Sequence, residues 1–332
     1  MPDSSSTLSA TDDETTFPVS KEELSIIKAD LALAFPEDYS YLSNDYILSV
    51  ASKPYSKDPT VRRPIEYSTT KLSDLLQWRA DNAVKLSDLI QSISSSNAST
   101  SNASSSSASP SVSPPVSTST NNAQAIALAT SLNYGSMYWH GLDKAGRPIL
   151  WIRTNRMPWF PDIEAQVNTL ILLADAGIQA MPEGVTEFVV LSDSRSPPPP
   201  NPQFMMNLLS ALVKGYPDRL NLLVSCPVGT IIQTVMKLLL PLMPSRLSSK
   251  IVLIGEEEGK EKLGKILLGG ETDVPSFMPN GTNDHDELYP EGGKFQGDAG
   301  QILKFDWDGM IDRLKDDVKQ FQEDQEQVKE QE

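Results

Sequence analysis

Four side chains in this 332-residue sequence are candidates for nucleophilic or acid–base chemistry: Cys226, Asp193, His140 and His285. A phosphatase thiolate needs a cysteine between a strand and a helix, which is where Cys226 is predicted to lie, and an arginine after five intervening residues that clamps the phosphate. Ile232 stands at that position. We therefore interpret Cys226 as a buried structural thiol.

Asp193 closes the apolar run VVLSDS, where a carboxylate could serve as a nucleophile or bind Mg²⁺. No second carboxylate stands two residues away, so we interpret Asp193 as a residue that caps its own loop. His140 has Asp143 nearby, and we interpret it as a structural histidine whose ring nitrogens are hydrogen bonded. One cysteine and two histidines are too few for a transition-metal site or a nucleophilic triad, so we expect neither a metal nor an enzyme.

A dinucleotide cofactor would need the pattern G-x-G-x-x-G after a strand. The apolar run that ends at Gly255 is followed by Glu-Glu-Glu-Gly, and three carboxylates would repel a pyrophosphate. The earlier strand-to-helix turns have no glycine cluster. The sequence therefore predicts no cofactor.

The net charge limits the classes of partner. The chain has 44 acidic and 28 basic residues, a formal net charge of −16. No excess of cations is available to displace phosphate counterions, so we expect no nucleic-acid partner. The first residues, MPDSSSTLSATDDETT, have neither the basic nor the apolar region of a secretory signal, and a single cysteine cannot form an internal disulfide. Both facts favour a cytoplasmic protein.

Composition divides the chain into five segments. The polar N-terminus is predicted to be disordered, and the stretch SSSNASTSNASSSSASPSVSPPVSTSTNN cannot bury apolar surface and is interpreted as a linker. Leucines at helical spacing predict a helical lobe before the linker, and the acidic C-terminus predicts a helix with a docked start and a solvated end. The predicted boundaries are 1–20 (disordered), 21–92 (N-terminal helical lobe), 93–122 (Ser-rich linker), 123–293 (α/β domain) and 294–332 (acidic helix or tail).

From residue 123 onward, apolar runs alternate with helical patterns. The first two runs flank the turn DKAGR, where Gly146 accepts dihedral angles that other residues avoid. The later runs are separated by predicted helices at 161–181, 202–216 and 230–243. This alternation predicts an α/β fold with a mainly parallel sheet that is buried on both faces. The predicted strands are 137–142, 148–154, 187–193, 219–225 and 249–255.

The helix predicted at 230–243, TIIQTVMKLLLPLM, carries an apolar arc that is wider than a surface helix needs. Lys237 and Pro241 interrupt it, so it cannot supply the ~20 apolar residues of a membrane span. On this stretch alone, an ordinary buried core helix is the simpler interpretation. The apolar positions along the arc are Ile231, Ile232, Val235, Met236, Leu239, Leu240 and Met243.

Three motifs occur in a fixed order: GLDKAGRPI (141–149), KGYPDRLNLLVSCP (214–227) and PLMPSRLSSKIVLIG (241–255). Together they resemble the CRAL-TRIO lipid-exchange family, whose members carry a G-x-D-x-x-G-R-P hairpin, a Y-P-E-R-L turn before a strand, and a helix that ends near proline just before S-K-I. The resemblance covers about residues 123–293. The upstream segment, with its closing Trp78-Arg79, resembles the family's N-terminal helical lobe.

The resemblance implies an architecture for the pocket. In the family a mainly parallel sheet floors an apolar pocket, and the helix before S-K-I is a movable gate over it. A gate faces lipid tails on one side and membrane on another, which accounts for the wide apolar arc of 230–243, and Pro241 provides a place to bend. The resemblance thus assigns that arc to the pocket and gate.

The resemblance also implies headgroup contacts. In the inositol-lipid binders of the family these contacts come from the Y-P-E-R turn and from the lysine of S-K-I, which correspond to Asp218, Arg219 and Lys250. Asp218 is shorter than the usual glutamate. The threonine that such members carry three residues before the lysine is Leu247 here. The headgroup pattern for inositol lipids is therefore only partly kept.

The hydroxyls with which the family's phosphatidylcholine binders contact their ligand correspond to Phe188 and Val190, so the choline pattern is absent. We predict a soluble, non-catalytic protein that encloses one phospholipid, phosphatidylinositol among the candidates, or another long apolar ligand, and exchanges it during transient membrane contact. The alternative is a regulatory adaptor with a vestigial pocket that recruits a protein through the Ser-rich linker or the acidic tail. Lipid that copurifies with the protein would separate the two.

Overall fold

The computed structural model describes residues 16–82, 116–199, 201–242, 245–292 and 302–331. The predicted disordered segment 1–20 and the Ser-rich linker 93–122 lie mostly outside these ranges. One helix begins at Val116 and therefore overlaps the end of the predicted linker. None of the described helices is long and apolar enough to cross a membrane.

The N-terminal lobe contains three helices, α1 (Lys21–Ala34), α2 (Asn44–Ala51) and α3 (Ile65–Asn82). Ser20 and Glu23 form a capping box at the start of α1, since each side chain accepts a hydrogen bond from the other's backbone N–H. The helices pack around a core of their own. Its fully buried side chains include Ile27, Leu31, Tyr46, Ile47, Leu72, Leu75 and Leu76.

A short antiparallel hairpin joins α2 to α3. It consists of β1 (Pro54–Tyr55) and β2 (Asp58–Arg62). The helical lobe predicted at 21–92 therefore also contains two short strands, which the leucine spacing does not indicate. Prolines lack a backbone N–H, but they are compatible with strands that pair on one side only.

A five-stranded sheet forms the centre of the second lobe, in the order β3-β4-β5-β6-β7. The edge strand β3 is antiparallel to β4, and all later pairs are parallel. All five strands fall where the apolar runs predict them, which confirms the mainly parallel α/β fold. Their bounds are β3 Met137–Leu142, β4 Pro148–Arg153, β5 Phe188–Asp193, β6 Leu220–Cys226 and β7 Ile251–Leu253.

Helices connect the strands and cover the sheet. The helix at Pro202–Ser210 continues as a π-helical turn over Ala211–Gly215. The predicted helix at 230–243 forms as α7 followed by a short 3₁₀ turn at Leu240–Leu242. The bounds are α4 Val116–Asn133, α5 Ile163–Gln179, α6 Pro202–Ser210, α7 Thr230–Leu239, α8 Ser245–Ser248, α9 Gly259–Ile266, α10 His285–Leu288 and α11 Trp307–Gln331.

The C-terminal helix α11 lies against the edge strand β3. Its first half is buried through Trp307, Met310, Leu314 and Val318, whereas its last turns are exposed. The predicted docked start and solvated end are both confirmed. At the β3–β4 turn Gly146 has φ of +75°, and a side chain there would collide with the ring of Phe321 on α11.

Candidate functional site

The two faces of the sheet have different environments. Trp139 and Leu150 are register partners on one face, and the indole N–H of Trp139 donates to the carbonyl of Leu173 on α5 at 2.7 Å. Tyr138 and Trp151 are partners on the other face, where Trp151 packs edge-on against the ring of Phe277. We call the second face the sealed face, because segments C-terminal to β7 cover it.

On the first face, a contiguous group of side chains is only half buried. The register joins Ile152 to Ser192, and Leu223 to Ile251. We call this group the open floor, and it consists of Ile152, Ser192, Leu223, Ile251 and Leu253. Parallel strands are normally buried on both faces, so half-buried aliphatic side chains on the inner strands β4 and β6 are unusual. The predicted burial of both faces is therefore correct for only part of the sheet.

The sheet face that carries the open floor is apolar toward the start of β5 and polar toward its end. Phe188 and Val190 are buried, and Phe188 packs edge-on against Trp139 with ring centroids 5.6 Å apart. Farther along, the hydroxyl oxygens of Ser192 and Ser194 are 3.4 Å apart, and Ser194 also bonds to Ser225 on β6. The positions at which the family carries ligand hydroxyls are thus apolar here. The serines at the other end of the strand are not predicted as site residues from the sequence.

The predicted ligand residues lie at the opposite edge of the sheet, where β5, β6 and β7 begin. The ammonium of Lys250 donates to the carbonyl of Leu220 at 2.5 Å and lies 3.6 Å from a carboxylate oxygen of Glu187. The same oxygen accepts from Lys53 of the N-terminal lobe at 2.7 Å. Lys250 is therefore part of a charged network between the two lobes.

Asp218 has a left-handed backbone conformation (φ 60°) and a buried side chain. Its carboxylate accepts from Arg63 at 2.6 Å and from Lys71 at 2.7 Å, both in the N-terminal lobe. Arg219 is buried, donates to the carbonyl of Thr186 at 3.0 Å, and stacks on the ring of Tyr46. The structure brings Asp218 and Arg219 to the same edge as Lys250, in contact with the other lobe.

We call this group of charges the cationic seam. It joins cationic side chains from both lobes to two carboxylates, in a protein whose net charge is −16. Burial alone would raise the pKa of Glu187, but Lys53 and Lys250 lower it below its ordinary value. The members are Lys53, Arg63, Lys71, Arg219, Lys250, Glu187 and Asp218.

Sequence analysis predicts only part of the seam. Arg63, Lys71 and Lys53 come from a different lobe, and no spacing in the sequence indicates that they approach β6 and β7. Only Asp218 indicates that such cations are present, because a buried acidic residue requires a cationic partner. That partner's identity follows from the packing of the lobes.

Helix α7 contains most of the predicted gate positions. Met236 and Leu240 are half buried, and Leu238 is 70% exposed. Ile231, Ile232, Val235 and Leu239 lie in the helix, but their side chains are outside the described part of the structure, as is all of Met243. Their assignment to a pocket or gate stays a prediction.

The candidates for acid–base chemistry are buried in the sealed face. Burial raises the pKa of the Cys226 thiol to about 12, so the reactive thiolate is disfavoured. Asp193 is fully buried, pairs with Arg195 at 3.0 Å, and accepts from the backbone N–H of Arg195, which confirms its loop-capping role. Asp143 pairs with Arg147 at 2.7 Å.

His140 differs from its predicted state. Its Nδ1 has no hydrogen-bond partner among the described residues, and its ring lies 4.3 Å, centroid to centroid, from that of His285. Burial lowers the pKa of His140 to about 4 and that of His285 to about 2. The Nδ1 of His285 lies 3.2 Å from the hydroxyl of Tyr138. Within the described ranges, no three His, Cys, Asp or Glu residues are grouped to hold a metal ion.

Comparison with known proteins identifies one domain. Residues 132–267 match the family model of the CRAL/TRIO domain. A structural comparison aligns the chain with "Crystal structure of Sfh5", at a TM-score of 0.46 and 14% sequence identity, covering 87% of this chain and 96% of that chain. No protein of curated function matches the chain. At the level of the family, the domain match indicates binding of a lipophilic small molecule. Residues 132–267 of this chain are therefore a CRAL/TRIO domain.

Proposed function

We propose that this protein is a non-catalytic carrier that encloses one phospholipid and exchanges it at membranes. The open floor is the observation that supports this proposal most directly. Three strands contribute aliphatic side chains that stay half buried there, whereas the side chains of β4 and β5 on the other face are buried. Acyl chains on the floor would complete its burial, and each buried methylene contributes about 0.8 kcal/mol.

The cationic seam supports an anionic headgroup for that phospholipid. A phosphate would pair with the cationic side chains of this group, among which Lys250 places its ammonium next to the start of β7. Phosphatidylinositol fits this chemistry, because its phosphate needs cations and its hydroxyls need acceptors such as Asp218. The buried apolar side chains of Phe188 and Val190 argue against a dedicated choline site.

The exchange step requires that α7 leave the pocket. Leu238 on this helix is already 70% exposed, although the helix is apolar on most of its circumference. An apolar side chain in water gains free energy when it enters a bilayer. We assign α7 to the gate, with Leu238 on the side that meets the membrane.

A carrier without turnover makes two testable demands. Lipid should be extractable from the purified full chain at about one molecule per protein, and the protein should move phosphatidylinositol between vesicles without changing it chemically. Mass spectrometry measures the first demand and a vesicle transfer assay the second. A protein that is always empty and takes up no offered lipid would favour the adaptor alternative.

The gate is tested by placing charge on it. In the variant Leu239→Asp with Met243→Asp, each charge at depth in the bilayer costs at least ~2 kcal/mol, so vesicle transfer should collapse. Leu33→Asp, on an exposed position of α1, is the matched control and should transfer as wild type does. If the double variant is folded and transfers lipid at the wild-type rate, residues 230–243 are not the gate.

A further inference from the structure

The loop between β4 and α5 carries two of the most exposed apolar side chains of the described residues. Trp159 is 70% exposed and Phe160 is 92% exposed. They stand between Pro158 and Pro161, in the sequence Met-Pro-Trp-Phe-Pro. Placing both of these side chains in water forgoes a large hydrophobic gain, because an aromatic ring buries about 150–250 Å² when it is covered.

The base of this loop is firmly held. Arg156 is buried and donates to the carbonyls of Gly135 at 3.0 Å and Tyr289 at 2.6 Å, and to the carboxylate of Asp286 at 2.7 Å. At the other end, Asp162 caps helix α5. The prolines fix two further φ angles. The two aromatic side chains are therefore presented by an anchored loop.

The loop leaves the edge of the sheet at which the parallel strands end. The hydroxyl of Thr154, after β4, donates to the carbonyl of Asp193 at the end of β5 at 2.6 Å. The N–H of Ser194, after β5, donates to the carbonyl of Cys226 at the end of β6 at 3.3 Å. Helix α7 begins at the same edge, after the three residues that follow β6. Trp159 and Phe160 thus lie on the side of the domain from which α7 starts.

Charge distinguishes among surfaces that this loop could contact. Arg156 before the loop is buried and pairs with Asp286, the carboxylates of Asp162 and Glu164 follow the loop, and the protein as a whole carries −16. An anionic surface would therefore be repelled. A surface without net charge, into which Trp and Phe can insert, complements the loop.

We propose that Trp159 and Phe160 insert into the interfacial zone of a zwitterionic phospholipid bilayer and dock the protein there. Tryptophan prefers this zone, because its ring is apolar and its N–H is polar. Two protruding rings are far too little area for a stable protein interface, which needs about 1,000 Å², but they suffice as a membrane anchor. This inference rests on the proposed function, since a lipid exchanger must dock on a bilayer.

Fluorescence can report on Trp159 alone. The other tryptophans, Trp78, Trp139, Trp151 and Trp307, are buried or half buried, so the difference between wild type and Trp159→Phe isolates the exposed indole. The full chain is mixed with phosphatidylcholine vesicles with and without bromine on the acyl chains. The difference signal should shift to the blue, and the brominated lipid should quench it.

Cosedimentation with the same vesicles measures docking itself. The variant Trp159→Ala with Phe160→Ala should lose at least about tenfold in vesicle partitioning. Leu33→Ala, an equally exposed apolar position on α1, is the matched control and should bind as wild type does. Wild-type binding should persist when salt is raised from about 0.1 M to about 1 M, because insertion is not electrostatic.

Three results would overturn the proposal: a Trp159 signal that vesicles leave unchanged, a double variant that partitions as wild type does, or a Trp159 signal already shielded from iodide without vesicles. The last result would indicate that the chain itself or a second copy covers the loop. Lipid extracted from the same proteins is measured in parallel. A lipid-loaded wild type whose loop stays in water refutes the docking proposal only, whereas an inserted loop on a protein that never takes up lipid refutes the carrier function only.

Discussion

The sealed face and the open floor belong to the same sheet, but their side chains are buried to different extents. On β5, Leu191 points to the sealed face and is fully buried, while its neighbour Ser192 on the open floor is half exposed. On β4, Trp151 is sealed beneath Phe277 and Ile152 is half exposed. The backbone geometry of the two faces is equivalent. Only what lies over each face differs.

This difference indicates how the domain separates stability from binding. The sealed face is filled by side chains from α9 and from the segment around Phe277 and His285, which belong to the same domain. The open floor is left partly uncovered by the described residues, so a ligand can supply the missing contacts. Incomplete packing of a core lowers stability, and under the proposed carrier function the bound ligand would restore that packing.

The largest expected effect compares leucines on the two faces. Leu191→Ala should lower the free energy of unfolding by about 2–5 kcal/mol, because the sealed face cannot collapse around the cavity. Leu223→Ala on the open floor should cost less than about half of that in delipidated protein, since the side chain is already half exposed. Urea denaturation of both variants measures the difference. Equal losses would mean that the open floor is an ordinary core surface.

A second variant fills the open floor. Leu223→Trp should remove most binding of phosphatidylinositol, because the added ring occupies the space that acyl chains would take. Stability should fall less than at a fully buried position, since the original side chain is already partly exposed. Ile126→Trp, at an exposed position of α4, is the control and should bind lipid as wild type does. Unchanged lipid binding by a folded Leu223→Trp would place the ligand elsewhere.

The sheet could be predicted from the sequence because its signals are local. Apolar runs such as PILWIRT and EFVVLSD are too continuous for surface strands, and the helices between them impose parallel pairing. Gly146 and the loop-capping Asp193 were likewise predicted, since each acts within a few residues of itself. The half-exposed face could not be predicted. Whether Ile152 or Leu223 is covered depends on helices that are distant in sequence.

The cationic seam also depends on contacts between residues that are distant in sequence. The resemblance to a known family assigned Asp218, Arg219 and Lys250, and the structure brings these three to one edge of the sheet. It also adds Lys53 and Arg63, which lie more than a hundred residues upstream. No periodicity or motif links residues across two lobes. Contacts of that kind follow from the docking of separately folded cores.

A smaller effect on ligand binding is expected at the cationic seam, which lies where β5, β6 and β7 begin. Lys250→Ala should weaken phosphatidylinositol by about tenfold or more, since a charge-assisted hydrogen bond contributes roughly 1.5–3 kcal/mol. A neutral apolar ligand such as tocopherol should bind almost as before, because its contacts lie on the open floor. Titration of both ligands into wild type and variant makes the test. Equal phosphatidylinositol affinities would assign Lys250 to a structural role, to which its bonds to Leu220 and Glu187 belong.

The smallest expected effect is the loss of stability at low pH that the two histidines of the sealed face cause. His140 and His285 are buried there, and burial lowers the pKa of His140 to about 4 and that of His285 to about 2, from an ordinary value of 6.5. The unfolded chain therefore binds more protons than the folded chain at pH values between those limits, and stability falls as the pH drops below about 6.5. Each histidine contributes a slope of up to ~1.4 kcal/mol per pH unit.

His140→Gln removes one of these two contributions. Between about pH 6.5 and pH 5, where most carboxylates are still ionised, the loss of stability per pH unit should be roughly half that of wild type. Denaturant unfolding at several pH values measures both slopes. The open floor has no histidine, so its control variant Leu223→Ala should keep the wild-type slope. If His140→Gln also keeps that slope, then His140 is protonated in the folded protein and the sealed face admits water at this point.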